Sequence, residues 1–293
     1  MLRSSVSWPA AKRKGWSCAT ARATSGNGWA GSDRDRREPI PGGFMMRYAL
    51  IALTVLASGV ATDLSAQSKP TIVLVHGAWA DASGWYDVTR ALQARGYKVV
   101  AVQNSLFSYA KDIETTKRVL DAQQGPLVVV GHSYGGAVIT AAAAGNPNVK
   151  SLVYVAAFAP DSGEALGALL QRYPDLGLGK ALVPDAAGFL YIDVAKYPEV
   201  FANGLPPTQA RAFATAQKPI AGSALGEPLA VAPAWKTVPT WYVVATQDRA
   251  INPELARFMA KRMNAHVTEL PAGHLVFISR AQDVARIIES ASR

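Results

Sequence analysis

The sequence predicts an α/β protein with a mostly parallel central sheet flanked by helices. From Thr71 onward, short runs rich in β-branched residues alternate with longer stretches of helical periodicity. The first run, Thr71–Val75, is continuously apolar, as expected for a strand that is buried on both faces. Because strands that alternate with helices are joined by crossover connections, they pair in parallel, which fixes the predicted fold class.

Individual elements follow from the same periodicity. The predicted strands are 71–75, 98–102, 127–130, 151–155, 240–245 and 266–270. The predicted helices are 85–95, 113–122, 134–144, 253–263 and 275–290. Residues 160–238 separate two strands, are rich in Pro and Gly, and carry only short helical stretches. An insertion of this size predicts a cap over the site within one domain, 67–293.

The front of the chain has a different character. Residues 1–44 are rich in Gly, Ser and Arg, and we expect either a disordered leader or a start codon assigned too early. Residues 45–66 combine a short basic start, an apolar run and small residues, the pattern of a secretory signal peptide. Cleavage after Ala66 would export the mature chain to the periplasm or the medium. A buried apolar segment of the fold is the alternative, and the run is too short for a stable membrane span.

Composition excludes several classes of protein. The net charge is +9, but residues 1–47 hold nine Lys or Arg against three acidic residues, and no dense basic run occurs from residue 67 onward. We therefore expect no nucleic-acid partner. Cys18 is the only cysteine, so an intrachain disulfide is excluded. Because Cys18 precedes the domain, the domain itself can have neither a cysteine nucleophile nor a cysteine-based metal site.

The strongest chemical signal is the run G-H-S-Y-G at 131–135. It follows the strand 127–130 and opens an Ala-rich helix, which is the strand-turn-helix context of a nucleophile elbow. So tight a turn needs residues without side chains around the serine, and Gly131 and Gly135 meet this need. Ser133 is the candidate nucleophile; an ordinary helix N-cap serine is the alternative.

A serine nucleophile needs a base, and the base needs a carboxylate partner. Of four histidines, only His274 lies in a loop at the carboxyl end of a strand, where open α/β sheets place their sites. Asp248 follows the strand 240–245, so the chain order is Ser133, Asp248, His274. Asp161, after the preceding strand, stays open as a second candidate for the acid.

Backbone amides must also stabilise the oxyanion of a tetrahedral intermediate. We assign these donors to Tyr134, directly after the nucleophile, and to Ala78, in the turn after the first strand. The apolar side chains of Trp79, Tyr134, Phe158 and Leu275 are expected to form a substrate pocket beneath the cap. The alternative is that these side chains are plain core residues.

Taken together, the H-G-A-W run at 76–79, the elbow 131–136, Asp248 and the G-H pair at 273–274 resemble the α/β-hydrolase superfamily. Within it, residues 71–290 are most similar to the group of plant methyl-ester esterases, hydroxynitrile lyases and bacterial pyrethroid-type carboxylesterases. The resemblance implies an α/β-hydrolase fold with a cap insertion. It also implies a carboxylesterase that cleaves small to medium apolar esters through an acyl-enzyme on Ser133, with no cofactor and no metal.

Other activities stay open on the sequence alone. Hydroxynitrile lyases of this group carry threonine at the position of Gly77 and lysine at the position of Leu275, which argues against lyase chemistry here. C–C bond, lactone or perhydrolase chemistry on the same triad is the first alternative. A non-catalytic protein that binds small molecules is the second, since a fold does not fix a function. The expected partner is a small-molecule ester, and the sequence assigns no oligomeric state.

Overall fold

The computed structural model describes residues 69–293. The predicted leader 1–44, with Cys18, and the predicted signal peptide 45–66 lie outside the described residues. The strands are β1 Thr71–Val75, β2 Val99–Val102, β3 Leu127–His132, β4 Val149–Val155, β5 Leu182–Pro184, β6 Phe189–Ile192, β7 Ile220–Ala221, β8 Thr240–Ala245 and β9 His266–Leu270. The helices are α1 Tyr86–Ala94, α2 Tyr109–Asp121, α3 Tyr134–Ala142, α4 Leu166–Leu170, α5 Leu178–Ala181, α6 Tyr197–Val200, α7 Pro207–Ala216, α8 Gly222–Gly226, α9 Pro253–Arg262, α10 Val276–Ser279 and α11 Ala281–Ser290.

Six strands form one parallel sheet in the order β2-β1-β3-β4-β8-β9. Every residue of β1 and β3 is buried, because these inner strands are covered on both faces. The predicted α/β class is confirmed. The strands β1, β8 and β9 have the predicted bounds, whereas β3 continues to His132 and so delivers the chain directly to Ser133.

Three of the five predicted helices match the structure to within two residues at each end, and two differ by more. The last predicted helix, 275–290, was wrong as a single element: it is interrupted at Arg280, whose φ of −129° and ψ of 39° are not helical. After the break, α11 packs against α1, where Glu289 lies 3.5 Å from Arg95 at the end of α1. Just beyond α11, Ser292 shares a 2.7 Å hydrogen bond with Tyr97. Helix α2 begins at Tyr109, earlier than expected, because the Ser108 side chain caps it by accepting the N–H of Lys111 at 3.2 Å.

Residues 160–238, the insertion predicted to be a cap and called the cap below, lie between β4 and β8. The cap holds helices α4–α8 and a small antiparallel sheet, β5-β6-β7. Backbone hydrogen bonding fastens this sheet to the core, since Ala221 donates to the carbonyl of Leu106 at 2.8 Å. Within residues 69–293, no helix has the length and apolar character that crossing a bilayer requires.

Candidate active site

Ser133 occupies the sharp turn between β3 and α3. Its φ of 52° and ψ of −124° lie in a region that non-glycine residues rarely adopt. Neighbouring backbone groups hold this strained conformation: the Ser133 carbonyl accepts the N–H of Gly136 at 2.9 Å and that of Phe158 at 3.0 Å. The turn therefore presents Ser133 at the carboxyl end of the sheet, as a nucleophile elbow requires.

The glycines around the serine are sterically required. A Cβ atom at Gly131 would lie 2.6 Å from the carbonyl oxygen of Gly135, and one at Gly135 would lie 2.5 Å from that of Val75. A Cβ at Gly136 would lie 2.5 Å from the Phe158 oxygen. Because these partners are backbone atoms of the central sheet and its helix, no side chain fits at these positions.

Asp248 and His274 form a buried pair at the ends of β8 and β9. The Oδ2 atom of Asp248 lies 2.7 Å from Nδ1 of His274. Its Oδ1 atom accepts the N–H groups of Ala250 at 2.7 Å and Ile251 at 2.9 Å. A carboxylate at Nδ1 fixes the proton there and leaves Nε2 as the basic nitrogen. Nε2 is buried and has no hydrogen-bond partner among residues 69–293.

The histidine loop lies directly against the elbow. His132, which precedes Ser133, has its Nε2 atom 3.1 Å from the His274 carbonyl oxygen, and the two rings are 4.7 Å apart. Burial lowers the pKa of His132 well below its usual value, so its ring is neutral and its single N–H donates to that carbonyl. His132 thus joins the elbow to the loop of His274.

The remaining candidates have structural partners. His76 is buried, which lowers its pKa, and its ring bridges the Gly77 carbonyl at 2.8 Å and the Asn104 N–H at 3.0 Å. His266 is exposed and packs on Trp241. Asp161 pairs with Lys236 at 2.6 Å, whereas Nδ1 of His274 is already engaged by Asp248.

The two backbone amides predicted to be oxyanion donors, those of Ala78 and Tyr134, belong to segments that adjoin Ser133. A Cβ atom at Gly77 would lie 2.7 Å from the Cβ of Ser133, so the turn that carries Ala78 lies directly against the nucleophile. The Tyr134 amide is the first of helix α3, where N–H groups lack intrahelical acceptors. Within residues 69–293, neither the Ala78 nor the Tyr134 N–H donates to a protein acceptor.

Of the four expected pocket residues, Trp79 and Leu275 line cavities, whereas Tyr134 and Phe158 are buried beside the elbow. Trp79 lines a cavity of about 450 Å³ between the cap and the core, and with Leu275 it lines a smaller one of about 70 Å³. The side chain of Tyr134 is buried and lines neither of these cavities, and its hydroxyl donates to Asp112 Oδ2 at 2.9 Å. Phe158 is buried beside the elbow, where its N–H serves the Ser133 carbonyl.

The larger cavity touches two of the site's loops. Two residues of the cavity wall belong to these loops: Trp79, which follows Ala78 in the chain, and Ala250, whose N–H donates to Asp248. Most of the rest of the wall is apolar and comes from the cap and helix α9. The leucines in it are Leu170, Leu176, Leu178, Leu182, Leu225 and Leu255.

Sequence reasoning missed Phe201 and Asn203 of the cap. The ring of Phe201 lies 4.7 Å from that of His274, and Asn203 contacts the residues that precede both Asp248 and His274. No motif or period marks these two residues, because their placement depends on how the cap folds back. Gly273 is the one sequence signal, since it leaves room for Asn203.

Comparison with known proteins places these features in a family. The model of the alpha/beta hydrolase family matches residues 72–287. The carbendazim hydrolyzing esterase of Nocardioides sp. (strain SG-4G) is 36% identical over 113 residues, which are 34% of this chain and 47% of that protein. The alpha-hydroxynitrile lyase of Arabidopsis thaliana is 31% identical over 131 residues, 39% of this chain and 50% of that protein. The chain thus spans about half the length of these two relatives.

A solved structure shares the fold over most of the domain. The pyrethroid hydrolase from Sphingobium faniae JZ-2 superposes with a TM-score of 0.64 at 23% identity, covering 76% of this chain and 97% of that one. The resemblance to a group that contains esterases and hydroxynitrile lyases is confirmed.

Proposed function

The chain belongs to the alpha/beta hydrolase family, and from this premise we propose that it is a serine carboxylesterase that cleaves small to medium apolar esters through an acyl-enzyme on Ser133. The observation that carries the proposal is the buried Asp248–His274 pair, which leaves Nε2 of His274 without a partner among the described residues and holds it in a loop packed on the elbow. That arrangement supplies a base beside a strained, glycine-flanked serine.

The reaction proceeds in two steps. As Oγ of Ser133 attacks the ester carbonyl carbon, Nε2 of His274 takes its proton, and the amides of Ala78 and Tyr134 hydrogen-bond the developing oxyanion. When the intermediate collapses, the imidazolium gives its proton to the leaving alcohol and the acyl group stays on Oγ. Water then attacks the acyl-enzyme while Nε2 of His274 takes its proton. As this second intermediate collapses, the imidazolium returns the proton to Oγ, which regenerates Ser133 and releases the acid. Asp248 stays ionised throughout.

The lining of the 450 Å³ cavity is the evidence for an apolar substrate. Its six leucines and Trp79 favour a hydrocarbon group of the acid or the alcohol. Gly77 and Leu275 replace the threonine and lysine expected of a hydroxynitrile lyase, and Leu275 is buried. A Cβ at residue 77 would press on Ser133, which further disfavours the lyase arrangement here.

The same proposal includes export, with cleavage near Ala66. It rests on the basic, apolar and small-residue pattern of residues 45–66. Mass spectrometry of the N-terminus of the protein made in a bacterial host tests it. A mature start near Gln67 in the periplasm or medium supports export, whereas an intact chain in the cytoplasm contradicts it.

The decisive experiment measures release of p-nitrophenol from acetate, butyrate and octanoate esters by the purified chain. Ser133→Ala is expected to lower kcat by about 10⁴-fold or more, because the nucleophile is lost. Ser290→Ala is the matched control, since that hydroxyl lies exposed on α11 and bonds only the Ile287 carbonyl. Turnover by Ser133→Ala above a few per cent of the wild-type rate contradicts the proposal. A folded chain without turnover on any ester favours C–C or lactone chemistry, or a binding protein.

A further inference from the structure

The cap segment 197–204 contacts the loops that carry the proposed catalytic groups. It comprises α6 and the turn that follows. The hydroxyl of Tyr197 donates to the carbonyl of Trp79 at 3.3 Å, next to the oxyanion donor Ala78. The ring of Phe201 packs edge-on against Trp79 at 5.7 Å and lies 4.7 Å from the ring of His274. The segment is therefore in contact with the oxyanion loop and the base at once.

Asn203 extends this contact to the acid. Its side-chain Nδ2 donates to the carbonyl of Gln247 at 2.7 Å, and Gln247 immediately precedes Asp248. The N–H of Gln247 in turn donates to the carbonyl of Ala272 at 3.0 Å, in the loop of His274. The amide of Asn203 thus holds one end of a short chain of hydrogen bonds that joins the two loops.

The other side of Asn203 lies on the histidine loop. A Cβ atom at Gly273 would overlap the backbone oxygen and the side-chain Oδ1 of Asn203, so the two residues pack with no space between them. Oδ1 is buried and accepts no hydrogen bond from residues 69–293. The next residue, Gly204, has a φ of 88°, which lets the cap turn away immediately after this contact.

We infer that Asn203 is a positioning residue that fixes the Asp248–His274 pair relative to the elbow, so that the cap holds the catalytic geometry as well as covering the site. This inference rests on the proposed function. The cap has other attachments to the core, including the indole N–H of Trp79 to the carbonyl of Leu190 at 2.8 Å. Loss of the Asn203 amide therefore disturbs the two loops without releasing the cap.

Kinetics of the full chain with p-nitrophenyl butyrate test the role. Asn203→Ala is expected to lower kcat by about 10- to 100-fold with KM changed less than about twofold, because misplacing the base slows the chemical step and leaves binding intact. Asn203→Asp keeps the size of the side chain but replaces the donor with a carboxylate that faces the Gln247 carbonyl. Its kcat should fall at least as far as that of Asn203→Ala. Asn146→Ala is the matched control. Asn146 is half-buried like Asn203 and its side chain makes two hydrogen bonds, but it lies before β4 at the opposite end of the sheet.

A second readout does not depend on substrate. The proton on Nδ1 of His274, held against Asp248, should give a downfield ¹H resonance that shifts or broadens in both Asn203 variants and stays in place in Asn146→Ala. An unchanged resonance and an unchanged kcat in whichever Asn203 variant folds overturn the inference, as does a rise in KM alone. If the wild-type chain shows no Ser133-dependent turnover, the proposed function fails, and the resonance still decides whether Asn203 orients the pair.

Discussion

Asp248 divides its two oxygens between His274 and the backbone: Oδ2 lies 2.7 Å from Nδ1 of His274, and Oδ1 accepts the N–H groups of Ala250 and Ile251. Oδ1 is an acceptor, because both of its partners are backbone N–H groups. When His274 carries its proton on Nδ1, as a base acting through Nε2 requires, Oδ2 is an acceptor as well. Only an ionised carboxylate meets this demand in a buried position without leaving an N–H unsatisfied.

Asp248→Asn should therefore lower kcat by about 10³- to 10⁴-fold. An amide has one oxygen, so its NH₂ must face either the imidazole N–H or the two backbone N–H groups, and the histidine loses its orientation or its tautomer. Ester hydrolysis near pH 8 measures the effect. Asp161→Asn is the matched control, since Asp161 pairs with Lys236, and a larger loss there than in Asp248→Asn would assign the acid to Asp161.

Gly77→Ala should lower kcat/KM by about 10²-fold or more. The added Cβ would lie 2.7 Å from the Cβ of Ser133, closer than such atoms approach, so either the nucleophile or the oxyanion turn must move. Gly226→Ala is the control, because nothing lies within 4 Å of a Cβ placed there. Equal activity of the two variants would show that the turn at residue 77 tolerates a side chain.

Tyr134→Phe should reduce the free energy of unfolding by about 1.5–3 kcal/mol, the usual range for a hydrogen bond to a charged group. The lost hydroxyl donates to the fully buried carboxylate of Asp112, which also holds the backbone of Ser105 and Leu106. Urea unfolding measures the change. Tyr86→Phe removes a hydroxyl from a side chain that is 64% exposed and should change stability by less than about 0.5 kcal/mol.

Stability should decline as the pH falls below about 6.5, the usual pKa of histidine in an unfolded chain. Burial lowers the pKa of His132 in the folded chain. On acidification, His132 is therefore protonated in the unfolded state at a higher pH than in the folded state. The contribution of this group is therefore full above pH 6.5 and is lost as the pH falls; His76 acts in the same direction.

Melting temperatures between pH 8 and pH 5 test this dependence. His132→Gln removes the titrating ring and should flatten the slope, whereas His266→Asn, at an exposed strand start, should follow the wild-type slope. If His132→Gln has the wild-type slope, the acid sensitivity arises elsewhere.

The sequence by itself determined the parallel sheet and the elbow. Apolar runs such as Thr71–Val75 and the glycines on both sides of Ser133 act within a single strand or turn. The structure they form can therefore be predicted from neighbouring residues. Chain order and position at strand ends then favoured His274 as the base and Asp248 as the acid, with Asp161 left open as a second acid, because parallel strands bring their carboxyl ends to one edge.

Only the tertiary structure decided which residues surround that chemistry. Asn203 lies 44 positions before Gln247, and Tyr134, expected in the pocket, turns its hydroxyl to Asp112 on a neighbouring helix. The cap has short elements with little periodicity, and its placement depends on packing between segments far apart in the chain. Local patterns encode the strands and turns that carry the proposed catalytic groups, whereas the orientation of those groups depends on long-range contacts that no local pattern records.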